Sequence, residues 1–173
     1  LAAAPGGKTI LTAARMENVG RIAAVEPVKG RFFRLRANLE RCGVTIAVLY
    51  MHDGRSIGRK TPERFDRVLL DAPCSSEARF RAGVPQSFAH WTPRKVKEAA
   101  RKQRGLIRSA FACLKPGGRL VYCTCTFSRE ENEDVVEYLT DREAAADVVS
   151  VQRKLPDDLW DGFFYAVVTK TPS

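Results

Sequence analysis

The chain has 173 residues, 45% of them hydrophobic, and a net charge of +9. That length suits one domain over residues 1–173 with room for a substantial core, and no apolar run approaches the roughly 20 residues of a membrane span. The charge is uneven: from Arg129 to Asp161 eleven acids stand against four bases, a local −7, which leaves +16 on the remainder. A concentrated positive field favours a polyanion such as nucleic acid.

In chain order, Leu1-Ala2-Ala3-Ala4-Pro5-Gly6-Gly7-Lys8-Thr9 reads as a glycine turn running into a helix over residues 9–14. A strand is expected over 21–25, then a helix over 29–42 with Phe32, Phe33, Leu35 and Leu39 apolar and Gly43 beyond its end. A second strand is expected over 44–49. Residues 52–65 are polar and basic and read as a loop, 67–71 as a strand, and 72–92 as a long connection with little periodicity. Thr92-Pro93 opens a helix, threonine as cap and proline in the first turn. Its core-facing stripe is Val96, Ala99, Ala100, Gln103, Ile107, Ala110, Phe111 and Leu114. Pro116-Gly117-Gly118 breaks it before a strand over 119–123. Ser128-Arg129-Glu130-Glu131 has the spacing of a capping box for a helix running to about Leu139. Strands over 148–152 and 163–169 then read as a closing hairpin. Strands alternating with helices predict an α/β, Rossmann-like fold: a mostly parallel sheet, helices on both faces, and a C-terminal antiparallel hairpin. A glycine turn of this kind follows a strand that is central in such a sheet. The first strand is therefore expected to be largely absent, and the natural protein to continue upstream of Leu1.

Five cysteines, at 42, 74, 113, 123 and 125, form no paired framework and no C-x-x-C, and only His52 and His90 are available to join them. Neither disulfides nor a metal site is expected, and reduced thiols point to the cytoplasm. Cys42 and Cys113 fall in helical patterns and read as small buried hydrophobes. Cys74 and Cys125 differ. Each lies in the turn leaving an apolar strand: Val68-Leu69-Leu70-Asp71-Ala72-Pro73-Cys74, and Leu120-Val121-Tyr122-Cys123-Thr124-Cys125. Ligands bind at the carboxyl ends of parallel strands. If these strands are neighbours, two thiols face one crevice, an arrangement suited to one sulfur attacking and the other assisting release.

The glycine turn admits two readings. Ala2-x-x-x-x-Gly7-Lys8-Thr9 nearly fits a phosphate-binding loop, and Asp71 resembles the strand-end aspartate that helps hold magnesium. Against this, alanine lacks glycine's freedom at the first position, and Pro5 removes a backbone N–H that would serve a phosphate. In the other reading small residues let the backbone approach a nucleoside cofactor, whose ribose needs an acid after the second strand. Glu26 stands there, Asp53 follows the third strand, and Asp71 the fourth.

Three stretches, AAAPGGKT (2–9), DAPCSS (71–76) and KPGGRLVYCTCTFSREENE (115–133), continued by DGFFYAVV (161–168), resemble the catalytic domain of the RNA 5-methylcytosine methyltransferases. These are the bacterial ribosomal-RNA enzymes of the Fmu/Sun type and their eukaryotic relatives. The resemblance implies S-adenosylmethionine as cofactor, held by the loop Ala2, Ala3, Ala4, Pro5, Gly6, Gly7 and Lys8 and by Glu26, Asp53 and Asp71. It places the nucleophile at Cys125 and the cysteine used for product release at Cys74. Ala2 stands where the family usually has cysteine, and Cys123 where serine is common. In the implied chemistry a thiolate adds to carbon 6 of cytosine, which makes carbon 5 able to accept a methyl group. Asp71, if protonated, would hydrogen-bond the ring nitrogen; Lys8 would pair with Asp71 or with the cofactor carboxylate.

RNA, ribosomal or transfer, is the implied substrate, and the protein is expected to act as a monomer. Arg55, Arg59, Lys60 and Arg64, together with Arg79-Phe80-Arg81, Phe88, His90 and Trp91, interleave charge and rings as an unpaired nucleotide requires. Trp91 also fits as packing under the following helix. Lys95, Lys97, Arg101, Lys102, Arg104 and Arg108 read as that helix's wet face. A phosphate-loop NTPase and a non-catalytic RNA-binding relative are the competing readings.

Overall fold

A computed structural model of the chain describes residues 1–157 and 161–172. Helix α1 (Gly7–Arg15) is followed by β1 (Ile22–Val25), α2 (Lys29–Arg41), β2 (Ala47–Tyr50), α3 (Ile57–Lys60), β3 (Phe65–Asp71), α4 (Pro93–Ala112), β4 (Leu114–Thr124), α5 (Glu133–Thr140), β5 (Ala146–Lys154) and β6 (Phe163–Lys170). Among the described residues no helix is long and apolar enough to cross a membrane.

The strands form two sheets rather than one continuous sheet. β1 and β2 pair in parallel, and a second sheet runs β3-β4-β6-β5, with β3 and β4 parallel and β6 antiparallel to both β4 and β5. The expected closing hairpin is therefore present, with β6 inserted beside β4. Residues 1–3 lie between the two sheets and are too few for a ladder: Ala3 N–H donates to the Val25 carbonyl at 3.0 Å, and the Leu1 ammonium to the Leu69 carbonyl at 2.7 Å.

Alternation along β6 buries Phe164, Ala166 and Val168, which join Leu70, Leu120 and Tyr122 against Ile107, Ala110 and Phe111 of α4 and Val135 and Leu139 of α5. Burial of such side chains contributes about 1.5–3 kcal/mol each, so this core holds β3 and β4 in register. A second cluster, Ala4, Ala24, Leu35 and Leu39, packs the glycine turn and α2 on β1.

Three local expectations change. Residues 54–60 are not open loop but a 3₁₀ turn leading into α3, seated against α4; a Cβ on Gly58 would lie 2.7 Å from the Ser109 carbonyl. Ser128 does not cap α5, which starts at Glu133, because Glu131 is drawn inward to the turn after β3. Cys42, at the end of α2, faces solvent, whereas Cys113 is buried as expected. At α4 the expected cap holds: Thr92 Oγ1 accepts from Lys95 N–H at 3.2 Å.

Candidate active site

Parallel pairing sets Asp71 opposite Cys123, so β3 and β4 end side by side and their outgoing turns meet. Cys74 Sγ lies 3.4 Å from Cys125 Sγ. Ser76 Oγ lies 3.7 Å from Cys125 Sγ and 3.9 Å from Cys74 Sγ. The Cys74 hydrogen bond, more than any other group, lowers the Cys125 thiol from 9.0 to about 6, with Ser76 and the charge of Arg79 adding to it against burial. The same bond, with burial, raises Cys74. The pair thus favours the proton on Cys74 and the negative charge on Cys125.

A buried polar network holds the two turns together. Ser75 N–H donates to Glu131 at 3.0 Å, and Ser75 Oγ meets Thr126 Oγ1 at 2.7 Å. From α4, Gln103 Nε2 donates to the Pro73 carbonyl at 2.9 Å and to Glu131 at 2.8 Å. Asn132 accepts from Thr124 Oγ1 at 2.6 Å and donates to the Thr126 carbonyl at 3.0 Å. Glu131, Gln103 and Asn132 are all 0% exposed. Burial raises the Glu131 carboxyl above its ordinary value, although its hydrogen bonds oppose this. Glu77 performs a lighter version of the same task, accepting from Phe127 N–H at 2.8 Å and Trp91 Nε1 at 2.9 Å. Local patterns conceal these roles: Gln103 sits in the apolar stripe and Glu131 at a capping-box position.

Of the two partners open to Lys8, the structure gives it Asp71, at 2.7 Å. Burial works against the ammonium, but Asp71 outweighs it and holds Lys8 above its ordinary value. Cys123 Sγ is 3.6 Å from the other Asp71 oxygen and is 1% exposed. Burial, first, pushes this thiol up to about 12, which disfavours its thiolate.

The loop Ala2–Lys8 curls beneath α2, where Arg31 donates to the Ala4 carbonyl at 2.7 Å and Asn38 to the Pro5 carbonyl at 2.8 Å. Gly6 has φ +115°, and its missing Cβ would stand 3.0 Å from Leu35. Ala2 also takes a positive φ, 54°, so alanine at this position does not forbid the turn. Glu26 is 1% exposed and accepts from Ala4 N–H at 3.3 Å and Val28 N–H at 3.2 Å. Asp53 is exposed and paired with Arg55 at 2.6 Å, which holds its carboxyl below the usual range. The predicted residues therefore fall into two groups: Lys8, Asp71, Cys74 and Cys125 at the ends of β3 and β4, and the loop with Glu26 and Asp53 at the ends of β1 and β2.

Some of the basic and aromatic candidates are tied down, while Arg59, Lys60, Arg64, Arg79 and Arg81 are exposed. Arg55 is engaged with Asp53. Phe80 stands at the centre of Phe88, His90 and Trp91, with ring centroids 5.9–6.4 Å away. On α4, Lys95, Lys97, Arg101, Lys102 and Arg108 are exposed, while Arg104 is half-buried against Tyr138. Among the described residues no group of three or more His, Cys, Asp or Glu is arranged to hold a metal ion.

A family model described as 16S rRNA methyltransferase RsmB/F matches residues 1–168. Ribosomal RNA small subunit methyltransferase F of Escherichia coli (strain SMS-3-5 / SECEC) is 50% identical over 139 residues, covering 80% of this chain and 29% of that protein. The protein of the same name from Pectobacterium carotovorum subsp. carotovorum is 48% identical over 139 residues, covering 80% and 28%. The chain thus spans under a third of the length of these curated relatives. A crystal structure of NSun6 from Pyrococcus horikoshii with SFG aligns at a TM-score of 0.87 and 34% identity, over 100% of this chain and 47% of that one.

Proposed function

The chain belongs to the RsmB/F family of 16S rRNA methyltransferases, and from that premise we propose that it methylates carbon 5 of a cytosine in RNA through a covalent bond between Cys125 and carbon 6. The observation that carries this reading is the pair of sulfurs 3.4 Å apart at the carboxyl ends of two adjacent parallel strands, beside an ion pair. The relatives' names favour ribosomal over transfer RNA. The five free cysteines fit a reducing compartment such as the cytoplasm.

S-adenosylmethionine would supply an electrophilic methyl group. The residues present suit it. Small side chains at Ala2–Ala4, open space over Gly7 where a Cβ would meet nothing within 4 Å, and acids at Glu26 and Asp53 after two successive strands let a nucleoside approach the backbone closely. Ala2–Lys8 would line the cofactor's side, Glu26 would face the ribose and Asp53 the base.

Cys125, the sulfur whose thiolate the pair favours, adds to carbon 6, and the ring's electrons shift to carbon 5. Lys8 would donate to the ring nitrogen while Asp71, its partner at 2.7 Å, would accept from the exocyclic amine. Methyl transfer at carbon 5 is followed by loss of the carbon-5 proton to a base. Cleavage of the carbon–sulfur bond returns the thiolate, and Cys74, which holds the shared proton, assists release. The test is transfer of labelled methyl from S-adenosylmethionine to 16S rRNA lacking the modification, with digestion to nucleosides. Label in 5-methylcytidine supports the reading; label in any other nucleoside contradicts it.

A further inference from the structure

Ser76 has a backbone that its residue type does not favour. Its φ and ψ are 61° and 35°, the left-handed region where glycine is at ease and a residue with a Cβ is strained. Three of the other non-glycine residues with positive φ, Glu17, Asn18 and Glu63, sit in exposed turns. Ser76 is half-buried between two sulfurs and is pinned from both sides: Ser75 N–H is held by Glu131, and Ala78 N–H donates to the Cys125 carbonyl at 3.1 Å. Strain kept in place by its surroundings is a mark of functional sites.

The side chain explains what the strain accompanies. Two cysteines in mutual contact are chemically alike, so the sulfur that carries the negative charge needs a further donor. Ser76 Oγ is 3.7 Å from Cys125 Sγ and 3.9 Å from Cys74 Sγ, and its alternative acceptor is the Cys74 carbonyl at 3.4 Å. While Cys125 is a thiol, its S–H points at Ser76 Oγ. Once that proton has left, the hydroxyl can rotate and offer its own. A glycine would make the same turn with less strain and no donor.

We propose that Ser76 is a further catalytic residue of this chain, whose hydroxyl donates to the Cys125 thiolate while Cys74 keeps the proton of the pair. This rests on the reading of Cys125 as the attacking sulfur. The test needs neither RNA nor cofactor. Alkylation of each thiol by iodoacetamide is followed against pH by peptide mass spectrometry on the intact 173-residue chain, as parent, Ser76→Gly and Ser76→Ala. Thermal melting is recorded alongside. The expected result is a rise of about one pH unit in the Cys125 midpoint in both variants, with the glycine variant melting no lower than the parent. An unmoved midpoint in both variants overturns the proposal. So does a midpoint that rises only together with a drop in melting temperature in both, since that marks a loosened turn. If the midpoint moves as expected but the parent methylates no RNA, the functional reading fails and the role of Ser76 in the thiol pair stands. If the parent methylates RNA and the midpoint stays put, the functional reading stands and Ser76 has no such role.

Discussion

The two halves of the site are held in different ways. The cysteine turns rest on a buried network that reaches from β3 to α4 and to the turn after β4, with Glu131 accepting from Ser75 and Gln103. On the nucleoside side, Asp53 is held by a residue two positions away, Arg55, in solvent. Glu26 is buried and accepts from its near neighbour Val28 and from Ala4 of the glycine loop, with Arg31 3.9 Å away. Nucleophilic attack tolerates little misplacement, and the thiol pair is the part fastened by a fully buried side-chain network. The nucleoside side combines an acid tied to the glycine loop, Glu26, with a self-contained one in solvent, Asp53.

The strongest way to break this contrast is Glu131→Ala. It leaves the Ser75 N–H without its buried acceptor and takes from Gln103 one of two, the Pro73 carbonyl remaining, at about 1–3 kcal/mol in all. A loss near 3 kcal/mol should lower the melting temperature by roughly 6–12 °C. The isosteric Glu131→Gln separates charge from geometry. Because the folded chain raises this carboxyl above its unfolded value of 4.5, the wild type gains stability from it at low pH and loses that gain as pH rises through the folded value. Denaturant midpoints compared at acid and neutral pH should therefore move in favour of the glutamine variant as pH rises.

A smaller effect follows from Cys74→Ala. The largest cause of the lowered Cys125 thiol is then gone, and its alkylation midpoint should climb from about 6 toward the ordinary 9.0, by about 1–2 pH units. Alkylation near neutral pH should slow accordingly. Smallest is Asp53→Ala. It breaks an exposed pair worth about 0–1 kcal/mol, so melting should barely change, while equilibrium dialysis should show weaker binding of S-adenosylmethionine.

Much of this site is legible in the residues alone. Apolar runs ending in Asp71-Ala72-Pro73-Cys74 and Cys123-Thr124-Cys125 mark strands whose turns carry the thiols, and the two strands are indeed neighbours. Thr92-Pro93 starts α4 as its residue types require. The network is not legible, because its partners are far apart in the chain: Glu131 and Ser75 are separated by 56 positions, Gln103 and Glu131 by 28. S-x-x-E spacing looks the same whether the glutamate turns back to its own helix or inward to another turn. Nor does an amide at a core-facing position reveal that it holds a carbonyl rather than merely filling space. The polar stretch 54–60 hides α3 for a related reason: its short helix exists through Gly58 and Ser109, a contact only the fold creates.

Whether sulfur 125 attacks the ring is decided by trapping on RNA containing 5-fluorocytosine, whose carbon 5 has no proton to surrender. The parent chain with S-adenosylmethionine should form a covalent RNA adduct that peptide mapping assigns to Cys125. Cys125→Ala should form none, and Cys74→Ala should accumulate an adduct even on unmodified cytosine. An adduct mapped to Cys74, or trapping that survives Cys125→Ala, would show that sulfur 125 is not the nucleophile.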